Sequence, residues 1–388
     1  MKKLLFPAAF TVFTLLLILS FHGVIYLPLW NFYGLDLHNL HAFHNYCPEW
    51  PVPYDRPANL CGDILNRPMI YPPLLYWLMG WLRGTLLTEA ALYWSFAIIL
   101  FTFLGTWLVS IPEAERSPDR SLPRWIWMLW ILLLLQLPMA YAVERGNVDA
   151  AVIPVYCLGT FLYWRRKYFW AGFFIATSCW MKVYPAVPSL LILSALVLDP
   201  ELRKQALRPF FSGFITGGMA WAILLFPDSY RYVFEVLPRL TRDPGGYGTS
   251  SHTLYNGTTG MLVKIPLLIA WAVFFTRALR RDPILIFTAG LAISTFFQNL
   301  SNDYNLITAY PFLFVVMHRL LRPRMNFADF AVLLLTFAAF VLDRTPMELV
   351  FHNRGALFTQ LVWFLVFPLS MMKRIDKGTS SEGNLIPR

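Results

Sequence analysis

Apolar runs interrupted by short polar clusters recur along the whole chain, near residues 4–22, 91–110, 125–143, 148–164, 168–181, 184–199, 209–226, 259–276, 284–298, 305–319, 328–342 and 356–371. A membrane-spanning helix needs roughly 20 predominantly apolar residues. The pattern therefore predicts an all-α polytopic membrane protein with about 12 transmembrane helices and long non-cytoplasmic loops. The first run follows Lys2 and Lys3 like the start of a signal peptide. It is too long for one and no small-residue cleavage site follows, so a retained first span is expected. The runs at 168–181 and 184–199 are short and interrupted by Pro185 and Pro188, which suits a bent or re-entrant unit. "MIYPPLLYWLMGWL" (69–82) is broken at its start by Pro72 and Pro73, and its Tyr and Trp content suits an interfacial helix. Residues 1–375 are expected to form a single integral-membrane domain, and 376–388 a disordered cytoplasmic tail.

Charge fixes the direction of threading. With the N-terminus inside, alternate loops hold the groups Lys2/Lys3, Arg116/Arg120/Arg124, Arg165/Arg166/Lys167, Arg203/Lys204/Arg208, Arg277/Arg280/Arg281, Arg319/Arg322/Arg324 and Lys373/Arg374/Lys377 with Arg388. These loops carry 21 of the 32 Lys and Arg residues, the excess expected on the cytoplasmic side of a membrane protein. The net charge of +10 is thereby explained without nucleic acid as a partner. A composition of 57% hydrophobic and 14% charged residues agrees, since soluble domains carry about 25% charged residues. Two outer loops are long, roughly 23–90 and 227–258, and long loops in compact proteins are usually functional. Cys47 and Cys61 flank a polar part of the first loop and form a disulfide if it faces an oxidising compartment; Cys157 and Cys179 read as core residues. A bacterial inner membrane is the favoured location, with the endoplasmic-reticulum membrane as the alternative.

Under this threading, several polar stretches distant in sequence share the outer face: "YGLDLHNLHAFHNY" (33–46), "IYPPLLYW" (70–77), "ERGNVD" (144–149), "MKVYPAVP" (181–188) and "QNLSNDYNL" (298–306). Arg145 and Lys182 abut apolar spans with few neighbouring charges. A charge at that depth is expensive unless paired or hydrated, so a function is expected of it. Arg145 has a structural alternative in pairing with Glu144 or Asp149, and Lys182 in snorkelling to the interface. Together, an arginine fork and a lysine point charge suit an anionic head group.

In the order "YPPLL", "RGN", "KVYP", the chain resembles integral-membrane glycosyltransferases of the GT-C superfold. Within that superfold it is similar to the family 87 polyprenyl-phosphate-mannose-dependent mannosyltransferases. The catalytic subunit of GPI mannosyltransferase I has similar Pro-Leu-Leu, Arg-Gly-Asn and Lys-x-Tyr-Pro stretches. The resemblance implies transfer of a sugar, with mannose favoured, from a polyprenyl- or dolichyl-phosphate donor. The acceptor would be lipid-linked or membrane-proximal, the reaction would run on the non-cytoplasmic face, and the anomeric centre would invert. It also implies an acidic general base in the first outer loop, and Asp36 is the residue that fits. Family members often carry Asp-x-Asp there; this chain has one carboxylate in Tyr33-Gly34-Leu35-Asp36, which argues against a metal-dependent version.

The chemistry points the same way. Inverting transfer needs a carboxylate to take the acceptor's proton, and cations to meet charge developing on the leaving phosphate. Asp36 suits the first task, and Arg145 and Lys182 the second; Asn147, Tyr71 and Tyr184 can hydrogen-bond sugar or phosphate. His38, His41 and His44 recur every third residue, so adjacent members share one side of a helix. Nothing fixes further ligands, so no metal or other cofactor is expected. His38 is a candidate for substrate contact, with a solvated amphipathic helix as the alternative. Asp303 is a candidate sugar contact. Arg239, Arg242 and His252 belong to a glycine-rich second outer loop suited to closing over a bound substrate. A transporter or lipid flippase for an anionic substrate is the competing reading. It is disfavoured because the polar groups gather at one face and no internal repeat is evident.

Overall fold

The computed structural model of the protein describes residues 35–47, 54, 61, 69, 71–116, 139, 142–143, 146–242, 257–297 and 307–320. The expected spans at 4–22, 328–342 and 356–371 lie outside these residues, as does most of 125–143. Among the described residues the structure is all-helical, with no strand.

Helix α1 (Leu35–Tyr46) falls within the first long loop. α2 (Pro73–Leu78) begins with Pro72 as its cap and Pro73 in its first turn, where a missing N–H costs nothing, and runs on into a 3-10 turn, Met79–Leu82. α3 (Leu87–Arg116) follows. A 3-10 turn at Val148–Ala151 leads into α4 (Val152–Trp164), and then come α5 (Tyr168–Met181) and α6 (Ala186–Leu198). Asp199 accepts hydrogen bonds from the Glu201 and Leu202 amides and starts a short helix, Pro200–Leu202. A π turn, Arg203–Leu207, continues it into α7 (Arg208–Leu224). After a bend of 112°, α8 runs through Asp228–Arg231, Tyr232–Val236 and Leu237–Arg242. α9 (Gly257–Ala278), α10 (Pro283–Phe297) and α11 (Tyr310–Leu320) complete the set.

Among the described residues one helix, Leu87–Glu113, is by itself long and apolar enough to cross a membrane, and the bent pair Pro200–Leu224 with Asp228–Arg239 passes the same test jointly. α4, α5, α6, α10 and α11 are apolar but have 11 to 15 residues. At 1.5 Å per residue such helices reach about 16–23 Å, short of the roughly 30 Å hydrocarbon core.

The tightest seam joins α5 to α7. A Cβ placed on Gly172 would strike the Phe210 carbonyl oxygen, and one on Gly213 would strike the Phe169 carbonyl oxygen. Gly217, four residues on, lies against Phe173 less tightly, a Cβ there meeting the Phe173 carbonyl oxygen at 2.7 Å. Small residues at this spacing let two backbones touch, so dispersion acts over the length of the contact. Trp221 extends the seam by donating to Thr177 Oγ1 at 3.0 Å. α4 and α5 form an antiparallel hairpin whose turn at Arg165–Lys167 is closed by the Arg166 N–H to the Tyr163 carbonyl and the Lys167 N–H to the Leu162 carbonyl. At this end Arg165 lies over the Trp164 ring at 4.5 Å and pairs with Glu115 of α3 at 2.6 Å.

The seam makes a differential prediction. Gly213→Val is expected to lower the unfolding temperature of the detergent-solubilised protein by several degrees, since overpacking costs about 1–3 kcal/mol. Gly218→Ala, one residue past the seam and facing open space, is expected to be neutral or better. Equal thermal shifts for the two would contradict the backbone contact.

Candidate active site

The turn at Gly146-Asn147 is built from two backbone requirements. Gly146 has φ +64°, a conformation that suits glycine at the residue after a helix, and its N–H bonds the Val143 carbonyl at 3.1 Å. The Asn147 N–H reaches back to the Ala142 carbonyl at 2.8 Å, completing the helix-ending motif. The Asn147 side chain then accepts from the Asp149 N–H at 2.7 Å and caps the next turn. The Asn147 main-chain carbonyl oxygen accepts from Trp94 Nε1 at 3.2 Å, tying the junction to α3. The carboxylate of Asp149, the residue so capped, is completely buried.

The α4–α5 hairpin brings its cation. Asp149 lies 16 residues before Arg165, and Lys182 lies 16 residues after Arg166, so an antiparallel pair turning at those arginines sets the two side by side. Lys182 ends α5 in an extended conformation. Its Nζ meets Asp149 Oδ1 at 2.9 Å, off the alignment of a hydrogen bond, so the contact is an ion pair. The Lys182 side chain keeps 21% exposure while that of Asp149 has none. On its other side the ammonium sits 4.9 Å from the centre of the Tyr71 ring, within cation–π range. The Tyr184 hydroxyl is buried beside this pair and feels the Asp149 charge. It has no hydrogen-bond partner among the described residues.

An outer layer continues from Tyr71. Tyr54 donates its hydroxyl to the Tyr71 carbonyl at 2.7 Å and its ring lies 5.8 Å from that of Tyr232 on α8. Trp77 Nε1 donates to Asp228 Oδ2 at 3.3 Å, joining α2 to the start of α8. Burial raises the Asp228 carboxyl above its ordinary value, with the Trp77 bond opposing the shift. Burial, reinforced by Tyr232 and Asp228, pushes the Tyr54 phenol well up. A Cys47–Cys61 disulfide closes the end of α1 onto the segment before α2.

The histidines of α1 correct an expectation. His38, His41 and His44 are all buried, so this is not a solvated amphipathic helix. His41 Nε2 meets the Thr85 carbonyl at 2.8 Å, and His44 Nε2 meets the Tyr76 carbonyl at 3.0 Å. The His44 ring also stacks on Tyr76 at 4.2 Å, and burial holds its pKa below the ordinary histidine value. Asn45 adds bonds to the Leu82 carbonyl and the Gly84 N–H. His41, His44 and Asn45 thus fasten α1 to α2 and to the segment between α2 and α3. Among the described residues no group of three His, Cys, Asp or Glu could hold a metal ion.

Of the residues expected to act together, Lys182 and Tyr71 are in direct contact, and Asn147 and Tyr184 reach them through Asp149. Asp36 sits in the first turn of α1 and its side chain lies outside the described part. Arg145, His252 and Asp303 lie outside the described residues. Arg239 is exposed on α8, and Arg242 ends that helix. The expected second outer loop starts as a helix, and the glycines expected to make it pliable, Gly245, Gly246 and Gly248, lie outside the described residues. Asp149 as the partner of Lys182 was missed, as were the joints made by Tyr54, Trp77 and Asp228.

A family model described as Glycosyltransferase family 87 matches residues 69–302, more than half of the chain. The chain belongs to glycosyltransferase family 87. The match begins just before the Tyr71-Pro72-Pro73 stretch and includes Asp149 and Lys182, so the contacts above lie inside the family region of this glycosyltransferase. No curated protein and no solved structure matches the chain.

Asp228 gives a pH test of the outer layer. Burial raises its carboxyl above the ordinary 3.8, so the folded state favours the protonated form. The resulting stabilisation is complete below that ordinary value and is lost as pH rises through the elevated one. Asp228→Asn keeps an acceptor for Trp77 without the charge. It is expected to unfold at a higher temperature than wild type at pH 7, with the gap closing as pH falls toward about 4. A gap that does not change with pH would contradict the buried, charge-averse setting.

Proposed function

We propose that this family 87 glycosyltransferase moves a hexose, with mannose favoured, from a polyprenyl- or dolichyl-phosphate donor to a lipid-linked or membrane-proximal acceptor, with inversion. The observation that carries the reading is Lys182, held between a buried carboxylate and a tyrosine ring yet still partly exposed, inside the family-matched region. A lysine so held is a fixed point charge able to meet one oxygen of a phosphodiester.

In this mechanism the acceptor oxygen attacks the anomeric carbon while Asp36 accepts its proton. The bond from the anomeric carbon to the phosphate oxygen breaks, its electron pair stays on that oxygen, and the lipid phosphate leaves as a monoester. Negative charge grows on the phosphate during this step, so Lys182 and Arg145 stabilise the transition state more than the bound donor. Asn147, Tyr184, Tyr71 and His38 are assigned to orienting sugar and phosphate. Arg239, Arg242, His252 and Asp303 stand as further substrate contacts.

The sidedness of the reading is non-cytoplasmic. The Cys47–Cys61 disulfide in the first loop supports it, because disulfides persist in oxidising compartments. The basic turn Arg165–Lys167 supports it too, lying 16 residues of hairpin from the Asp149–Lys182 pair, about 24 Å of helix. A multi-pass protein of about 12 spans, in a bacterial inner membrane by preference, accommodates that separation. No observation favours the transporter reading.

Asp36→Asn is expected to reduce transfer from a radiolabelled polyprenyl-phosphate sugar by about 10²–10⁴-fold while leaving donor binding largely intact. Arg145→Ala and Lys182→Ala are each expected to weaken donor binding by about tenfold or more, the scale of a lost charge-assisted hydrogen bond. Full activity in Asp36→Asn removes the base, and unchanged donor affinity in both cation variants removes the phosphate site. Thermal unfolding of each variant distinguishes these outcomes from loss of fold.

A further inference from the structure

We propose that Asp149 is a positioning residue for transfer: it holds the Lys182 ammonium at one point of the outer site and tempers its charge, so that it acts on the leaving phosphate without over-binding the donor. The proposal rests on the reading of function above and adds a residue to it.

Three features carry it. First, an unheld lysine ammonium on its flexible four-carbon stem samples many positions. Here Asp149 Oδ1 at 2.9 Å and the Tyr71 ring at 4.9 Å flank the ammonium from two elements, leaving 21% of the side chain open. Second, the holder is itself held. The Asp149 carboxylate is completely buried, and its own N–H is bound by the Asn147 side chain at 2.7 Å. Asn147 in turn is fixed to α3 through Trp94. The "GNVD" sequence therefore sets where the carboxylate stands, and the carboxylate sets where the lysine stands. Third, a carboxylate this close offsets part of the lysine's field. A phosphodiester entering from the open side meets an ammonium already shared, so ground-state attraction is moderated while the position stays fixed. Interactions that strengthen only as charge develops raise kcat, and those already complete in the bound donor do not.

Removing the carboxylate should therefore move the two kinetic constants in ways that simple loss of structure does not. Asp149→Asn in the full-length protein in nanodiscs is expected to lower kcat by about tenfold or more, on the scale of one misplaced cation. It is also expected to lower the donor KM severalfold, because the freed ammonium binds phosphate more strongly in the ground state. Damage to the fold would reduce the active fraction with KM unchanged. A rise in KM, or an unaltered kcat, overturns the proposal.

A second readout is independent of transfer. Acylation of Lys182 by a small water-soluble amine reagent, followed by mass spectrometry, is expected to be slow in wild type. It should be severalfold faster in Asp149→Asn, with Lys167 and Lys204 unchanged, because the ammonium is no longer held between the carboxylate and the Tyr71 ring. An equal Lys182 rate in both proteins overturns the pairing. If Asp149→Asn does not fold, Asp149→Glu replaces it: Lys182 should stay protected while kcat falls, and a wild-type kcat there overturns positioning. Should wild type transfer no sugar from any polyprenyl-phosphate donor while Lys182 is deprotected by Asp149→Asn, the reading of function fails and the pairing stands.

Discussion

A completely buried aspartate is costly unless it is paired, hydrogen-bonded or protonated, because an isolated carboxylate removed from water loses several kcal/mol of hydration. Asp149 meets that constraint with Lys182, 33 residues on in the chain and 2.9 Å away in space. The pairing fixes the register of the α4–α5 hairpin, since slipping one helix past the other by a residue would move the ammonium off the carboxylate. It also fixes what happens at both chain ends of the hairpin. On one side a glycine and an asparagine close the preceding turn so that Asp149 enters the bundle; on the other, α5 stops in an extended lysine and the chain turns through Val183, Tyr184 and Pro185 into α6. Breaking such a pair from one side costs about 3–5 kcal/mol, comparable to a large share of a domain's net stability.

From that pair the outer layer is a chain of contacts between segments far apart in sequence. Lys182 rests against Tyr71, whose carbonyl is bound by Tyr54, whose ring packs near Tyr232 of α8; Trp77 and Asp228 join the same two elements a turn away. α1 is fastened to the far side of α2 through His41, His44 and Asn45. Four stretches that the sequence separates by tens to hundreds of residues thus share one assembly, with a partly exposed cation at its centre. For phosphoryl leaving groups, preorganised charge of this kind is the larger part of what a protein can contribute.

Much of this was readable from local signals and some was not. The apolar runs located the helices well: 168–181 coincides with α5, and 209–226 is close to α7. Pro72 and Pro73 marked the start of α2, and Gly146 with Asn147 marked a junction, because these residues act on the backbone within one turn. The Cys47–Cys61 bridge was open in sequence and is formed in the structure. What escaped was tertiary. The triplet spacing of His38, His41 and His44 describes a helix face equally well whether water or the 3-10 turn Met79–Leu82 and its neighbours cover it. Arg145, the cation nearest Asp149 in sequence, lies outside the described residues, and the pairing of Asp149 with Lys182 depends on antiparallel helices. The equal distances of both residues from Arg165 and Arg166 were the one available clue. α8 hid behind the glycine-rich sequence that follows it, and its own Tyr232, Val233, Phe234, Val236 and Pro238 are weak helix formers that send no local signal.

The most direct measurement is an experimental structure of the protein with a non-transferable phosphonate analogue of a polyprenyl-phosphate mannose. The account predicts the phosphonate within ion-pair distance, about 4 Å, of Lys182 Nζ, with the anomeric carbon turned toward the first turn of α1 that carries Asp36. A phosphonate seated instead at the Arg165–Lys167 end of the hairpin, or on the outer face away from Lys182, would contradict it.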